Sequence, residues 1–283
     1  MAGSIIITDT SCDFPQDIDI KGLPVKVLSM PVALKDDPEK DISHLSVKEF
    51  YDLMRRGEII PITSQVTAAR YMECYKECLE QDKTPIVIGL SSKLSKSYEA
   101  ALLAKNNMPD PEKIKIFDSK CVSLGLGMVV LKAARMAAEG RSPEEIVSTV
   151  EPYAHRLEHV FTVDSLEYLK RGGRLSAAQA FVGGLLNIKP ILHIADGAVE
   201  PLEKVRGKKN ALKRMLEIME ERAKDIQNQV VGVCHADDEE TAMELVDTIK
   251  KKFNPKDVLV SWIGPVIGAH AGPGTVAVFF ERA

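Results

Sequence analysis

Nowhere does this chain string together the ~18 uncharged apolar residues that a membrane-spanning helix needs, and its opening MAGSIIITDT lacks a basic n-region, so a soluble, cytoplasmic protein is expected. The five cysteines, Cys12, Cys74, Cys78, Cys121 and Cys234, are odd in number and irregularly spaced. That pattern argues against a disulfide framework and suits reduced thiols. Cys74 and Cys78 stand one helical turn apart, and with no nearby His or second Cys pair they fit packing along a helix better than a metal. Positive charge is not in excess either: the net charge is −4 and the pI about 5.9, so the whole-chain field favours neither nucleic acid nor anionic membrane. There is no Walker A sequence, G-x-S-x-G elbow or H-E-x-x-H pair, and neither Gly172-Gly173 nor Gly183-Gly184 follows a dinucleotide fingerprint. Nucleotide-site, serine-hydrolase and zinc-protease readings are therefore unsupported, and no cofactor is expected.

What is present is ordinary globular composition over 283 residues, enough for two domains or one large α/β unit. The first half alternates short β-branched runs with amphipathic stretches, the rhythm of a parallel sheet. Strands are expected at 4–8, 25–34 (one or two), 85–90 and 113–117, and helices at 47–56, 66–81, 97–106 and 122–139. Ser46 and Glu49 form a capping box for the first of these helices. Ser142-Pro143-Glu144-Glu145 opens another helix that runs to about 156. The grammar changes after it. A strand to 163 and a short helix to about 170 precede Arg171-Gly172-Gly173-Arg174. Asp196-Gly197 is a type I′ hairpin signal between 189–195 and 198–204. Helices at 208–226 and 239–253, with strands at 230–235, 258–262 and 275–280, complete a mixed sheet. The expected domains are therefore 1–157, an α/β domain with a parallel sheet, and 158–283, a mixed-sheet α/β domain.

One histidine, His270, lies in a stretch from Gly264 to Gly274 otherwise made of Gly, Pro, Ala, Val and Ile. The glycines and prolines read as a shaped loop, and the imidazole is its only side chain able to exchange a proton. Hydroxyls gather where helices are expected to begin, at Thr63-Ser64 and from Ser92 to Ser95. Each group is either an N-cap or a donor set for a carboxylate- or phosphate-sized anion. His155 and His159 fall where a helix gives way to a strand, which weakens a metal reading, and His44, His193 and His235 have surface or strand-end explanations. Lys170, Arg171 and Arg174 form one basic group, and Lys204, Arg206, Lys208 and Lys209 a second. If folding brings these to one rim, they suit phosphate or an acidic partner.

The ordered series Thr8-Asp9-Thr10-Ser11 with Asp13, Thr63-Ser64-Gln65, Leu90 to Ser95, Asp118-Ser119, Tyr168 to Arg174, Ile188-Lys189-Pro190-Ile191, Lys204-Val205-Arg206 and the 264–274 segment resembles the DegV family of bacterial fatty-acid-binding proteins. The resemblance runs nearly end to end. It implies a two-domain DegV-like (EDD) α/β fold with one long-chain fatty acid, of the palmitate, stearate or oleate class, between the domains. By position, Thr63, Ser95 and His270 would hold the carboxylate, with Ser64 and Ser92 beside them. Arg174 and Arg206 would meet the catalytic subunit of a fatty acid kinase or the phosphate it delivers. The acyl phosphate would feed phospholipid synthesis, membrane contact would be transient, and the chain itself would be a carrier without an activity of its own.

In one place the sequence departs from that pattern. Many relatives have Ser-Gly-Thr where this chain has Ser95-Lys96-Ser97, so a lysine side chain either points to water or pairs with the head group. The competing enzyme reading takes its model from dihydroxyacetone kinase, with His270 as a nucleophile toward a small carbonyl compound. A DNA-binding reading finds neither a basic surface nor a helix-turn-helix pattern.

Overall fold

The computed structural model describes residues 3–175 and 187–283. Gly183-Gly184 lies outside the described residues. In chain order the first elements are β1 (Ser4–Asp9), β2 (Val25–Leu28), β3 (Val32–Leu34), α1 (Val47–Arg55), β4 (Pro61–Thr63), α2 (Ala68–Glu80), β5 (Thr84–Gly89), α3 (Ser97–Asn106), β6 (Lys115–Asp118), α4 (Ser123–Ala138) and α5 (Pro143–Arg156). They are followed by β7 (Leu157–Thr162), α6 (Glu167–Arg171), β8 (Ile188–Ala195), β9 (Ala198–Arg206), α7 (Lys208–Arg222), β10 (Val230–His235), α8 (Glu239–Phe253), β11 (Asp257–Trp262), α9 (Pro265–Ala271) and β12 (Val276–Glu281). No helix among the described residues is long and apolar enough to cross a membrane.

The chain divides into two compact units, Met1–Pro31 with Ser64–His155, and Val32–Thr63 with Arg156–Ala283. The division near 157 follows the change from α5 to β7, but the first unit is discontinuous. Residues 32–63, expected within a continuous 1–157 domain, belong to the second unit. The physical reason is β4, a strand absent from the expected elements: it pairs antiparallel with β3, Val32 opposite Thr63, and so closes the segment on itself. From α1 in the same segment, the Tyr51 hydroxyl donates to the Ile263 carbonyl at 2.8 Å, which ties it to the C-terminal part.

The first unit holds a four-stranded parallel sheet in the order β2-β1-β5-β6. Helix α4 packs on β1 and β5, and its buried residues run all round it, including Leu124, Leu126, Val129, Val130 and Ala134, as expected of a helix enclosed by its unit. Gly127 is required there, because a Cβ would collide with the Cys12 carbonyl. Cys74 and Cys78 are both buried on α2, in agreement with the helix-packing reading. All the cysteines are free thiols.

The second unit holds a six-stranded mixed sheet, β11-β10-β12-β7-β8-β9, in which only β10 and β11 pair in parallel. One face packs α7 and α8 through Val160, Ile191, Met215, Ile218, Val233, Leu245, Ile249, Val278 and Phe280. Asp196 and Gly197 take φ of 45° and 83°, the two positive values that a type I′ hairpin turn requires. The Ser46 and Glu49 capping box forms in full at the start of α1.

The 264–275 stretch is not a loop: its middle is helix α9. Pro265 stands in the first turn, where its missing N–H costs nothing, and Gly272 with φ of 78° ends the helix. Proline and glycine here are the start and stop signals of a helix rather than the marks of a shaped loop. The Thr63-Ser64 pair also sits differently from its expected place at a helix start. Thr63 ends β4, and α2 begins only at Ala68, capped by the Thr67 side chain on the Arg70 N–H.

Candidate functional site

Helix α9 carries His270 in its last turn, and each glycine around it leaves room for a named neighbour. A Cβ at Gly268 would collide with the Tyr51 hydroxyl and lie 3.2 Å from a Phe50 ring carbon. One at Gly272 would meet the Tyr168 ring, one at Gly274 the Asp164 carboxylate, and one at Gly172 the His270 imidazole at Nδ1. The Thr275 hydroxyl accepts no such strain: it donates to the Ala271 and Gly272 carbonyls at 2.9 Å each, satisfying the end of the helix. The Gly274 N–H binds the Ala236 carbonyl at 2.7 Å and fixes the segment to the end of β10. The imidazole is thus set on a helix held from several sides.

Its contacts are few and specific. Nε2 lies 2.8 Å from Thr63 Oγ1, while Nδ1 is buried and has no hydrogen-bond partner. Burial, and secondarily the Arg174 guanidinium, lowers the imidazole to a pKa of about 4, so the ring is neutral at neutral pH. Arg174 donates from Nη1 to the Gly172 carbonyl at 2.5 Å, which places its charge over the backbone that walls Nδ1. Nε2 is thus shared with the Thr63 hydroxyl, while Nδ1 is enclosed.

The serines of the first unit have distinct local roles. Ser92 gives its hydroxyl hydrogen to Asp118 Oδ2 at 2.5 Å, and its N–H lies 3.2 Å from Oδ1 of the same carboxylate. Its only proton is therefore committed within the chain. Ser95 is buried; its Oγ receives the Ser97 N–H at 3.2 Å and lies 3.0 Å from Ser97 Oγ. Ser64 is exposed, its N–H bound to the Pro31 carbonyl at 3.1 Å. The departure at Lys96 resolves toward solvent: its ammonium pairs with Glu99 at 2.8 Å on a side chain 71% exposed.

The basic groups are placed by β9, α6 and α7. Arg206 is exposed at the end of β9, opposite Ile188. Lys170 and Arg171 end α6. Lys208 is committed to Asp238 and also lies 3.7 Å from Asp164, which accepts from Lys189 at 2.6 Å. No group of His, Cys, Asp or Glu among the described residues could hold a metal ion. His155 instead bonds the Asp118 carbonyl at 3.1 Å, and His159 is buried in β7 with Nδ1 3.1 Å from the Leu157 carbonyl.

The DegV family model matches residues 4–283. The chain belongs to the DegV family. A DegV domain-containing protein from Caldanaerobacter subterraneus is 40% identical over 277 residues, covering 98% of both chains. Among solved structures, a fatty-acid-binding DegV family protein from Thermus thermophilus is similar with a TM-score of 0.90 at 32% identity, covering 99% of this chain and 100% of its own. The fatty-acid-binding DegV protein of Bacillus subtilis has a TM-score of 0.87 at 30% identity, with both chains covered fully. The DegV fold accounts for both sheets described above.

Sequence reasoning did not find Gly172, Tyr51 or Tyr168 as supports of His270. Gly172 and Tyr168 lie within a segment already singled out for its family pattern, but nothing local tied either to a residue about a hundred positions away. Tyr51 gave no signal at all.

Proposed function

We propose that this DegV family chain binds one long-chain fatty acid and holds its carboxylate through Thr63 and His270. The observation that carries this reading is the Thr63–His270 pair, a hydroxyl bonded to a buried, neutral imidazole, in a chain whose relatives at 30% and 32% identity bind fatty acids. A hydroxyl donor suits a carboxylate oxygen, and a neutral ring beside it avoids burying a second charge. The family pattern adds Ser95 as a further hydroxyl contact. Ser92 and Ser64 have weaker support, since the hydroxyl of one is spent on Asp118 and the other is exposed.

The same reading makes the chain a carrier in the cytoplasm that touches membrane only transiently and passes its acid to a fatty acid kinase subunit. Arg174 and Arg206 are its proposed contacts with that subunit or with the incoming phosphate, guanidinium forks being matched to phosphate oxygens. Denaturing the purified protein, extracting with solvent and weighing the extract by mass spectrometry should yield stoichiometric fatty acid. An empty extract, together with no uptake of added oleate or palmitate, would overturn the proposal.

A further inference from the structure

Lys208 is a cation in a place that its own helix disfavours. It is the first residue of α7, at the positive end of the helix dipole, where Gly207 provides no side-chain cap and the first turn holds no acidic residue. Its ammonium is accommodated by oxygens from three other loops. It donates to Asp238 at the start of α8 and to the Gly274 carbonyl at 3.2 Å, and it lies 3.7 Å from Asp164. A lysine suits such a junction, because its three N–H groups leave one compact centre in three directions.

Two of these loops carry the helices around the imidazole. Asp164 precedes α6 and Gly274 follows α9. Asp238 belongs to the turn after β10, to which Gly274 and Thr275 are bound through Ala236 at 2.7 and 2.8 Å. Helices α6 and α9 approach each other at two glycines, with Gly172 against His270 Nδ1 and Gly272 against Tyr168. Lys208 reaches both loops. Asp164 also accepts from Lys189 at 2.6 Å, so removing Lys208 takes away the tie between the loops and still leaves that carboxylate a partner.

We infer that Lys208 is a positioning residue that clamps α6 onto α9 and so keeps His270 Nδ1 enclosed and dry. It acts through Asp164 and Gly274 and not on a ligand. Without the ammonium, the Asp164 carboxylate and the Gly274 carbonyl share no cation, the loops part, and water reaches Nδ1, a buried nitrogen with no partner of its own. Any effect on fatty-acid binding rests on the reading above; the clamp does not.

Nitrogen spectra of the histidine-labelled full chain, recorded without lipid from pH 8 to pH 5, test the clamp. In the wild type His270 should stay neutral throughout, since burial holds it to a pKa of about 4. In Lys208→Met the ring gains water and should titrate with a midpoint at about 5.5 or above, nearer the ordinary histidine value of about 6.5. His159 is the control, buried in β7 of the same unit with a pKa of about 4 and no part in the clamp. It should stay neutral in the variant as well. Asp164→Asn keeps the shape of the side chain beside Gly274 and serves also if Lys208→Met does not fold. Removing an acid lowers a histidine by charge alone, so a rise of His270 in Asp164→Asn reports opening of the loops. Arg174, the charge beside the ring, is the same in both variants. His270 neutral to pH 5 in both variants, or titrating already in the wild type, would overturn the clamp. So would His159 titrating alongside it, which would mark general loosening. Lys208→Met should also weaken oleate binding by about tenfold, the scale of one displaced polar contact, and an unchanged affinity would overturn its role in binding. If the wild type binds no oleate, the proposed function fails, and the spectra still decide the clamp.

Discussion

At position 172 the absence of a side chain is what lets the His270 ring reach Thr63. The backbone there has φ of −75°, which any residue adopts, so an alanine would act through its methyl group alone, and that methyl would collide with Nδ1. Gly172→Ala should push the imidazole off Thr63 and weaken oleate binding by about tenfold or more, the loss expected for a displaced polar contact. Its neighbour supplies the control. Gly173 has φ of 71° and nothing within 4 Å, so Gly173→Ala should cost about 1 kcal/mol of stability through backbone strain and leave oleate affinity intact. Affinity by calorimetry and stability by urea unfolding distinguish the two, and equal affinities for both variants would remove Gly172 from the support of the ring.

Helix α9 shows how far the elements were legible. Where a local signal is self-contained, sequence and structure coincide: the Ser46 cap, the Asp196-Gly197 turn, and helices over 97–106 and 239–253 all follow from adjacent residues. Helix α9 and strand β4 did not show, because what stabilises them is distant. A glycine at 268 lowers helix propensity, yet the helix forms because that glycine admits Tyr51 and Phe50 from α1. The pairing of Thr63 with His270 spans 207 residues and has no local trace; family likeness alone brought those two residues together beforehand. The competing effects in α9 give a test with a decided sign. Alanine at 268 gains up to ~1 kcal/mol of helix propensity, whereas overpacking costs ~1–3 kcal/mol, so Gly268→Ala should destabilise. Tyr51→Phe alone loses the bond to Ile263, about 1 kcal/mol, but in the Gly268→Ala background it removes the colliding hydroxyl and should cost less or nothing. A double-mutant cycle by urea unfolding measures this, and additive effects would show that the collision is relieved elsewhere.

At the scale of the molecule, the two units bury titratable groups of opposite character. The second unit encloses His159 and His270, both lowered by burial to a pKa of about 4, and His235, lowered in the same direction. A histidine kept neutral in the fold but able to charge when unfolded contributes stability that is complete above its unfolded pKa near 6.5 and lost as pH falls toward 4. For His159 and His270 the loss is up to ~3 kcal/mol each. Glu158 is pushed upward by burial but drawn below its ordinary range by His193, Arg222 and Arg282, so it adds a further loss at lower pH. The first unit buries Asp9, whose carboxyl is raised by burial despite bonds from Ser11, and acid favours the folded state of such a group. Moving from pH 7 to pH 4.5 should therefore weaken the second unit more than the first. Hydrogen exchange read by mass spectrometry, corrected for the intrinsic pH dependence, should show lost protection first in β7, β12 and α7, with β1 and β5 holding. A His159→Leu, His270→Leu double variant should flatten the loss in the second unit. Simultaneous loss in both units, or the same acid sensitivity in the double variant, would show that the buried imidazoles do not set the acid limit of this fold.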